Sequence, residues 1–396
     1  MISNIPGSGL KLSLISLLIG GFCIGMTEFL MMGVLPDLSS SLKISIPSAG
    51  HLISIYALGV VIGAPSLVGL TSHMAPKKIL IILMLMVCVF NALFALAPNV
   101  PLLLFTRFLA GLPHGAYFGI GAVVATRLAE PGREAKSIAV MFAGLTVANI
   151  IGVPLGTYIG HHLNWRISFI LIAVIALVAA GALKLWLPEL AAGQESDFKK
   201  SLGIFAKPGL WIIIGISAIG TGGMFAWISY IAPMMTDVAG FSANSITLIM
   251  VIAGLGMAFG NFAGGRLADR FSPLVTTGVL LSFMILALLA TALLAPFKPA
   301  AIVMIFVTGA IGFSVIAPMQ MLIMQEAQEA KMLASAVLQA TSNMGNALGA
   351  FLGGIPIAAG MGYTSPEYVG VILAFTGLIF CVLLFWMRRK KENNVT

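Results

Sequence analysis

Glu28, Arg107 and His114 are the residues of this chain best placed to do chemistry. Glu28 lies in the run 11–35, which after Lys11 carries no other charge and is long enough to cross a bilayer. Arg107 lies in Leu104-Phe-Thr-Arg107-Phe-Leu-Ala-Gly111, and His114 follows it at i+7, on the same helical face. An ionisable group held in lipid is costly and marks a functional site by default. By segmentation Glu28 is the only carboxylate, and Arg107 the only basic residue, well inside a span. Each sits roughly six or seven residues from the outer end of its span, so both lie about 10 Å below that boundary. Matched depth allows a Glu28–Arg107 ion pair if the first and fourth spans touch. An ion pair favours the carboxylate and separation favours the acid, so a pair that opens and closes would take up and release a proton. A static pair that joins two helices is the competing reading. His114 reads as a proton relay or a polar substrate contact, and equally as a packed, hydrogen-bonded histidine.

The elements that hold these residues are membrane spans. Hydrophobic residues make up 59% of the chain, charged residues 9%, and the mean hydropathy is +1.07. A soluble domain has about 25% charged residues, so this chain requires lipid as solvent. Twelve apolar stretches fall at 11–35, 48–71, 78–97, 101–126, 136–160, 166–187, 209–235, 243–266, 274–295, 299–321, 332–357 and 367–387. Each is too long for a barrel strand and lacks period-two alternation, so the fold class is an all-α membrane protein of 12 transmembrane helices. With the N-terminus inside, 17 of the 21 lysines and arginines fall in cytoplasmic segments. The positive-inside rule then places both termini in the cytoplasm. The first apolar run is too long for a cleavable signal and reads as a retained helix. The net charge of +8 is explained by loops facing anionic headgroups, with no nucleic-acid partner. Cys23, Cys88 and Cys381 all fall in spans and read as small buried hydrophobes, with no metal site or cofactor. No cluster of His, Asp or Cys near the interface suggests an enzyme.

The longest hydrophilic stretch, 188–208, contains Glu189, Glu195, Asp197, Lys199, Lys200 and Lys207. It divides the chain into six-helix bundles at 1–187 and 209–396, the latter with a short basic tail. The halves repeat: Asn149, Gly152 and Gly156 recur as Asn346, Gly349 and Gly353 at an offset of 197. Pro36, taken as the end of the first helix, matches Pro233 at the same offset, and Gly69 matches Gly265. Repeated halves suit a secondary transporter with its substrate site between them near the midplane. Gly144, Gly152, Pro154 and Gly156, like Gly349 and Gly353, permit close helix approach, either as packing or as a sliding contact between halves. Gly265, Asp269 and Arg270, at the cytoplasmic end of the eighth span, suggest a charged latch. His161 and His162 read as a solvated outer loop.

Only the N-terminal half carries the ionisable pair: at the repeat offset Glu28 corresponds to Phe225 and Arg107 to Met304. The C-terminal half instead offers Trp227, Tyr230, Gln320, Gln339, Asn343 and Asn346. This suggests a division of labour, with the coupling ion on one side and substrate recognition on the other. Tyr117 and Asn149 complete the cavity candidates.

The chain resembles the major facilitator superfamily over all twelve helices. Gly265–Arg270 resembles its G-x-x-x-D-R loop, Arg107 with Gly111 its helix-four arginine motif, and Gly144–Gly156 its antiporter motif. The N-terminal copy of the loop departs, with His73 and Pro76 in place of the acid and glycine, and Val153 separates Gly152 from Pro154. Gly25-Met-Thr-Glu28 through Pro36, Ile46–Ser54, Tyr56–Pro65 and Gly152–Gly156 with Trp165-Arg166 are similar to AraJ-type arabinose efflux permeases of the drug:proton antiporter branch. The resemblance implies a monomeric inner-membrane exporter of sugars or other small molecules, driven by protons. Uptake by symport, facilitated diffusion, and a channel or sensor are the competing functions.

Overall fold

In the computed structural model, residues 7–71, 73–130, 134–191 and 202–393 are described. Glu195, Asp197, Lys199 and Lys200 of the mid-chain stretch lie outside them. The N-terminal helices are α1 (Gly7–Leu42), α2 (Ile46–Thr71), α3 (Pro76–Leu96) and α4 (Val100–Leu128). α5 joins Glu134–Val147, Ala148–Gly152, Val153–Ile159 and Gly160–Asn164, and α6 is Trp165–Trp186. After the mid-chain stretch, α7 joins Pro208–Gly215, Ile216–Gly220, Gly222–Ser229, Ile231–Pro233 and Met234–Val238. α8 (Ile246–Arg270) and α9 (Pro273–Leu294) follow. α10 joins Lys298–Ser314 and Ile316–Glu326, and α11 (Lys331–Ala358) and α12 (Ser365–Asn393) complete the fold.

These elements form because a bilayer leaves no other way to satisfy the backbone. Among the described residues ten apolar helical stretches are long enough to cross a membrane, and one of them, Ser137–Trp186, holds both α5 and α6. Large apolar side chains stay exposed around the rim, among them Leu96, Leu185, Phe262, Leu286 and Ile372. Such a surface is stable against lipid and not against water.

Pro36 does not end the first helix. α1 continues six residues beyond it, to Leu42. A proline removes one backbone hydrogen bond and favours a kink, and a packed membrane helix can absorb that loss. In α5 a wider π turn, Ala148–Gly152, lies just before Pro154. His161 and His162 also differ from expectation, since they sit in the last helical turn of α5 and not in a loop.

The repeat is visible in the packing. A Cβ at Gly59 of α2 would run into the Phe108 carbonyl of α4, and one at Gly256 of α8 into the Phe306 carbonyl of α10. The glycines are related by an offset of 197 and the carbonyls by 198, so each half uses a bare glycine backbone to seat the equivalent helix pair. Gly144 of α5 and Gly349 of α11 pack within their own halves. Gly144 faces the Leu18 carbonyl of α1, and Gly349 faces the Gly222 carbonyl of α7. These two are intrabundle contacts. The halves meet instead through α2 on α11, α5 on α8, and α1 on the end of α7 that holds Ile231–Pro233. That last contact, with His51 of α2 stacked 5.8 Å from Phe351 of α11, closes the end of the molecule away from the basic loops. At the basic end, α4 and α10 make at most sparse contact among the described residues.

Candidate functional site

The site is built where α1, α2, α4 and α11 converge. Glu28 is 5% exposed, and its Oε1 accepts a hydrogen bond from Asn346 Nδ2 at 3.2 Å. The carboxyl belongs to α1 and the amide to α11, so the bond crosses between the halves. Burial of a carboxyl requires such a partner.

Arg107 is fully buried but does not pair with Glu28. Its Nη2 donates to the backbone carbonyl of Thr27 at 2.7 Å, while Nε and Nη1 have no partner among the described residues. The guanidinium lies 4.2 Å from the centre of the Tyr56 ring, with Phe94 and Phe169 at 5.8 Å and 5.7 Å. Planar, weakly hydrated guanidinium suits an aromatic box of this kind. α1 and α4 do touch, as the ion-pair expectation required. The carbonyl beside Glu28 takes the arginine, leaving the carboxylate to the opposite half.

Tyr56 extends the array. Its hydroxyl lies 3.0 Å from His114 Nδ1, so arginine, tyrosine and histidine form one buried chain across α4 and α2. His114 meets Phe118 edge-on at 5.4 Å between ring centres. The shared face of Arg107 and His114 was legible from their spacing; the tyrosine between them was not.

The cavity candidates divide into committed and open groups. Tyr117 donates to the Leu17 carbonyl at 2.9 Å and Tyr230 to the Ala350 carbonyl at 2.7 Å, so both hydroxyls hold helices together. Gln320 donates to Ser335 at 3.2 Å, and Asn343 donates to the Gln339 carbonyl at 3.0 Å. Asn149 Nδ2, Trp227 Nε1, Asn343 Oδ1 and Asn346 Oδ1 are buried without a partner among the described residues. Asn149 lines a cavity with Phe29, Met32, Met250 and Met257, of about 10 Å³, room for roughly one water. At the basic end, Asp269 and Arg270 are exposed on the last turn of α8, where Arg266 and Arg270 lie over Phe262 and Phe271. Among the described residues Asp269 has no ion-pair partner.

Two acidic groups escaped the sequence reading. Glu367, in the first turn of α12, is 1% exposed, and its Oε2 has no partner among the described residues. Its place at the margin of the last apolar run hid it. Asp37, just past Pro36, meets His161 at 2.8 Å; it falls beyond the first apolar stretch, 11–35.

A profile of the Major Facilitator Superfamily matches residues 17–333. The chain is 40% identical over 382 residues to inner membrane transport protein YdhP of Escherichia coli O157:H7, covering 96% of this chain and 97% of that protein. It is 37% identical over 384 residues to the AraJ protein of Escherichia coli (strain K12), covering 97% of each. Among solved structures, the fold is similar to a bacterial homologue of the human lysosomal transporter Spinster, with a TM-score of 0.73 at 18% identity over 95% of this chain and 96% of that one. It is similar also to a variant of the nucleoside transporter NupG, with a TM-score of 0.73 at 14% identity over 96% of this chain and 99% of that one. A twelve-helix membrane protein matched along most of its length by this profile, and along nearly all of it by transport proteins, belongs to the major facilitator superfamily.

Proposed function

We propose that this transporter exports a sugar or other small molecule in exchange for protons, by alternating access, with Glu28 as the coupling group. Bundles 1–187 and 209–396 rock about the interface between them, and the basic end faces the cytoplasm. The observation that carries the reading is the Glu28–Asn346 bond, a buried carboxyl of one half held by an amide of the other. Asn346 can donate from Nδ2 to the carboxylate, and its free Oδ1 can accept from the acid. The pair can therefore hold either charge state, and any motion between the halves acts directly on it. Arg107 holds the Thr27 carbonyl next to the carboxyl and connects through Tyr56 to His114. Asn149, Trp227, Asn343 and Asn346 carry the open polar atoms for a solute once the interface separates, while Tyr117, Tyr230 and Gln320 would need to leave their present contacts.

Each proton moved inward supplies about 2.3 kcal/mol per 100 mV. A force of roughly 150 mV would sustain a gradient of a few hundredfold. The test begins with a thermal-shift screen of the purified protein against sugars, nucleosides and hydrophobic cations. A stabilising compound, radiolabelled, is then offered to inside-out vesicles with an acidic lumen. We expect accumulation that collapses with a protonophore and in Glu28→Gln. Equal accumulation by Glu28→Gln excludes the coupling role, and loss of solute from the acidic lumen indicates symport.

A further inference from the structure

On the face opposite the basic loops, three polar residues from three helical segments meet across the two halves. His161 Nδ1, at the end of α5, lies 2.8 Å from Asp37 Oδ1 of α1. His161 Nε2 lies 3.1 Å from Asn244 Oδ1, in the short turn that leads into α8. Asp37 and His161 belong to the N-terminal half and Asn244 to the C-terminal half. We propose that Asp37, His161 and Asn244 form a proton-strengthened latch that holds this face closed. It goes beyond the Glu28 reading but shares its orientation, with this face outward.

Both imidazole nitrogens face oxygen acceptors. Only the doubly protonated ring donates from both. The Asp37 bond is then an ion pair as well as a hydrogen bond, and charge-assisted bonds are roughly twice as strong as neutral ones. On a neutral ring the Asn244 amide can turn and donate, which keeps the geometry but removes the charge. Loss of the proton therefore weakens the latch without abolishing it. Histidine changes charge between about pH 5 and 8, the span that an outer face of a proton-driven membrane meets.

The groups around His161 support this assignment. α1 contributes Asp37, and α5 itself contributes His162, edge-on at 5.2 Å between ring centres. His162 is tied to the Tyr158 carbonyl at 3.0 Å. α6 contributes Arg166, whose guanidinium is committed to the Ala95 and Ala97 carbonyls at 2.7 Å and 2.8 Å. The α8 side brings the neutral Asn244. Asp37 is thus the group that pairs with a proton on His161. In a proton-driven exporter the consequence has a useful sign: acid outside favours closure of the outer face, the step that carries a bound proton inward.

The test reads closure directly. Cysteines replace Leu96 and Met361, exposed residues at this end of the two halves, in a chain lacking Cys23, Cys88 and Cys381. Spin-label distances are measured in lipid nanodiscs at pH 8 and pH 5, with Glu28→Gln present throughout so that the proposed coupling carboxyl cannot report. The long-distance population is expected to fall at least threefold at pH 5. His161→Gln, which keeps a hydrogen-bonding side chain of similar reach, and Asn244→Ala, which cuts the link between halves while sparing the Asp37 pair, should each remove that response. An unchanged distribution between the two pH values, or a response that survives in both variants, overturns the proposal.

Discussion

Gly254 is where α8 lies against α5 with no side chain between them. A Cβ placed there would run into the Asn149 carbonyl oxygen and stand 2.6 Å from its carbon and 3.0 Å from the Ile150 nitrogen. All three atoms are backbone, so no rotamer change relieves the clash. Ordinary contact is about 3.5 Å, so Gly254→Ala must push the two helices apart by roughly 1 Å. Overpacking of this kind costs about 1–3 kcal/mol. Because α5 and α8 belong to different halves, the cost falls on the closed interface and much less on either bundle. The open population should therefore rise by a factor of roughly 5 to 150. Spin-label distances across the face that holds Asp37 measure this ratio. Gly265→Ala is the control, since a Cβ there meets nothing within 4 Å. If Gly254→Ala keeps the parental distance distribution, or if Gly265→Ala shifts it equally, the reasoning about this contact is refuted.

Three further substitutions separate the parts of the site. Tyr56→Phe removes the 3.0 Å contact with His114 while leaving the ring under Arg107; thermal unfolding should show a loss of about 1 kcal/mol. Asn346→Ala removes the partner of Glu28 on the opposite half, a bond to a charged group worth about 1.5–3 kcal/mol; transport should lose its dependence on the pH gradient before it loses solute binding in a thermal-shift assay. Gly349→Val places atoms against the Gly222 carbonyl and within 2.9 Å of Phe225; the α7–α11 contact has no room for them, and the yield of folded protein on size exclusion should collapse.

Much of the fold was legible because lipid imposes so few solutions. Span length, the absence of charge and the placement of lysine and arginine mark twelve helices without reference to packing, and the Asn149–Gly156 and Asn346–Gly353 repeat marks two halves. Glu28 and Arg107 stood out for the same reason, as charges where charge is expensive. Their partners were not legible. Depth matching brought Arg107 to the right level on the right neighbouring helix, but a backbone carbonyl, Thr27, took its donor. The residue that binds Glu28 is 318 positions away, and only the docking of the two bundles brings it there. Pro36 misled the reading of α1 because proline predicts a lost hydrogen bond, and a packed helix tolerates one. That error hid Asp37, and with it the meaning of His161.

The central claim is that solute movement and proton movement are one event at Glu28. The most direct measurement uses inside-out vesicles with an acidic lumen and a pH-sensitive dye trapped inside. Addition of a solute selected by thermal shift should raise the lumen pH in the wild type, with no rise in Glu28→Gln. Accumulation of labelled solute by the wild type with no change in lumen pH would contradict the account.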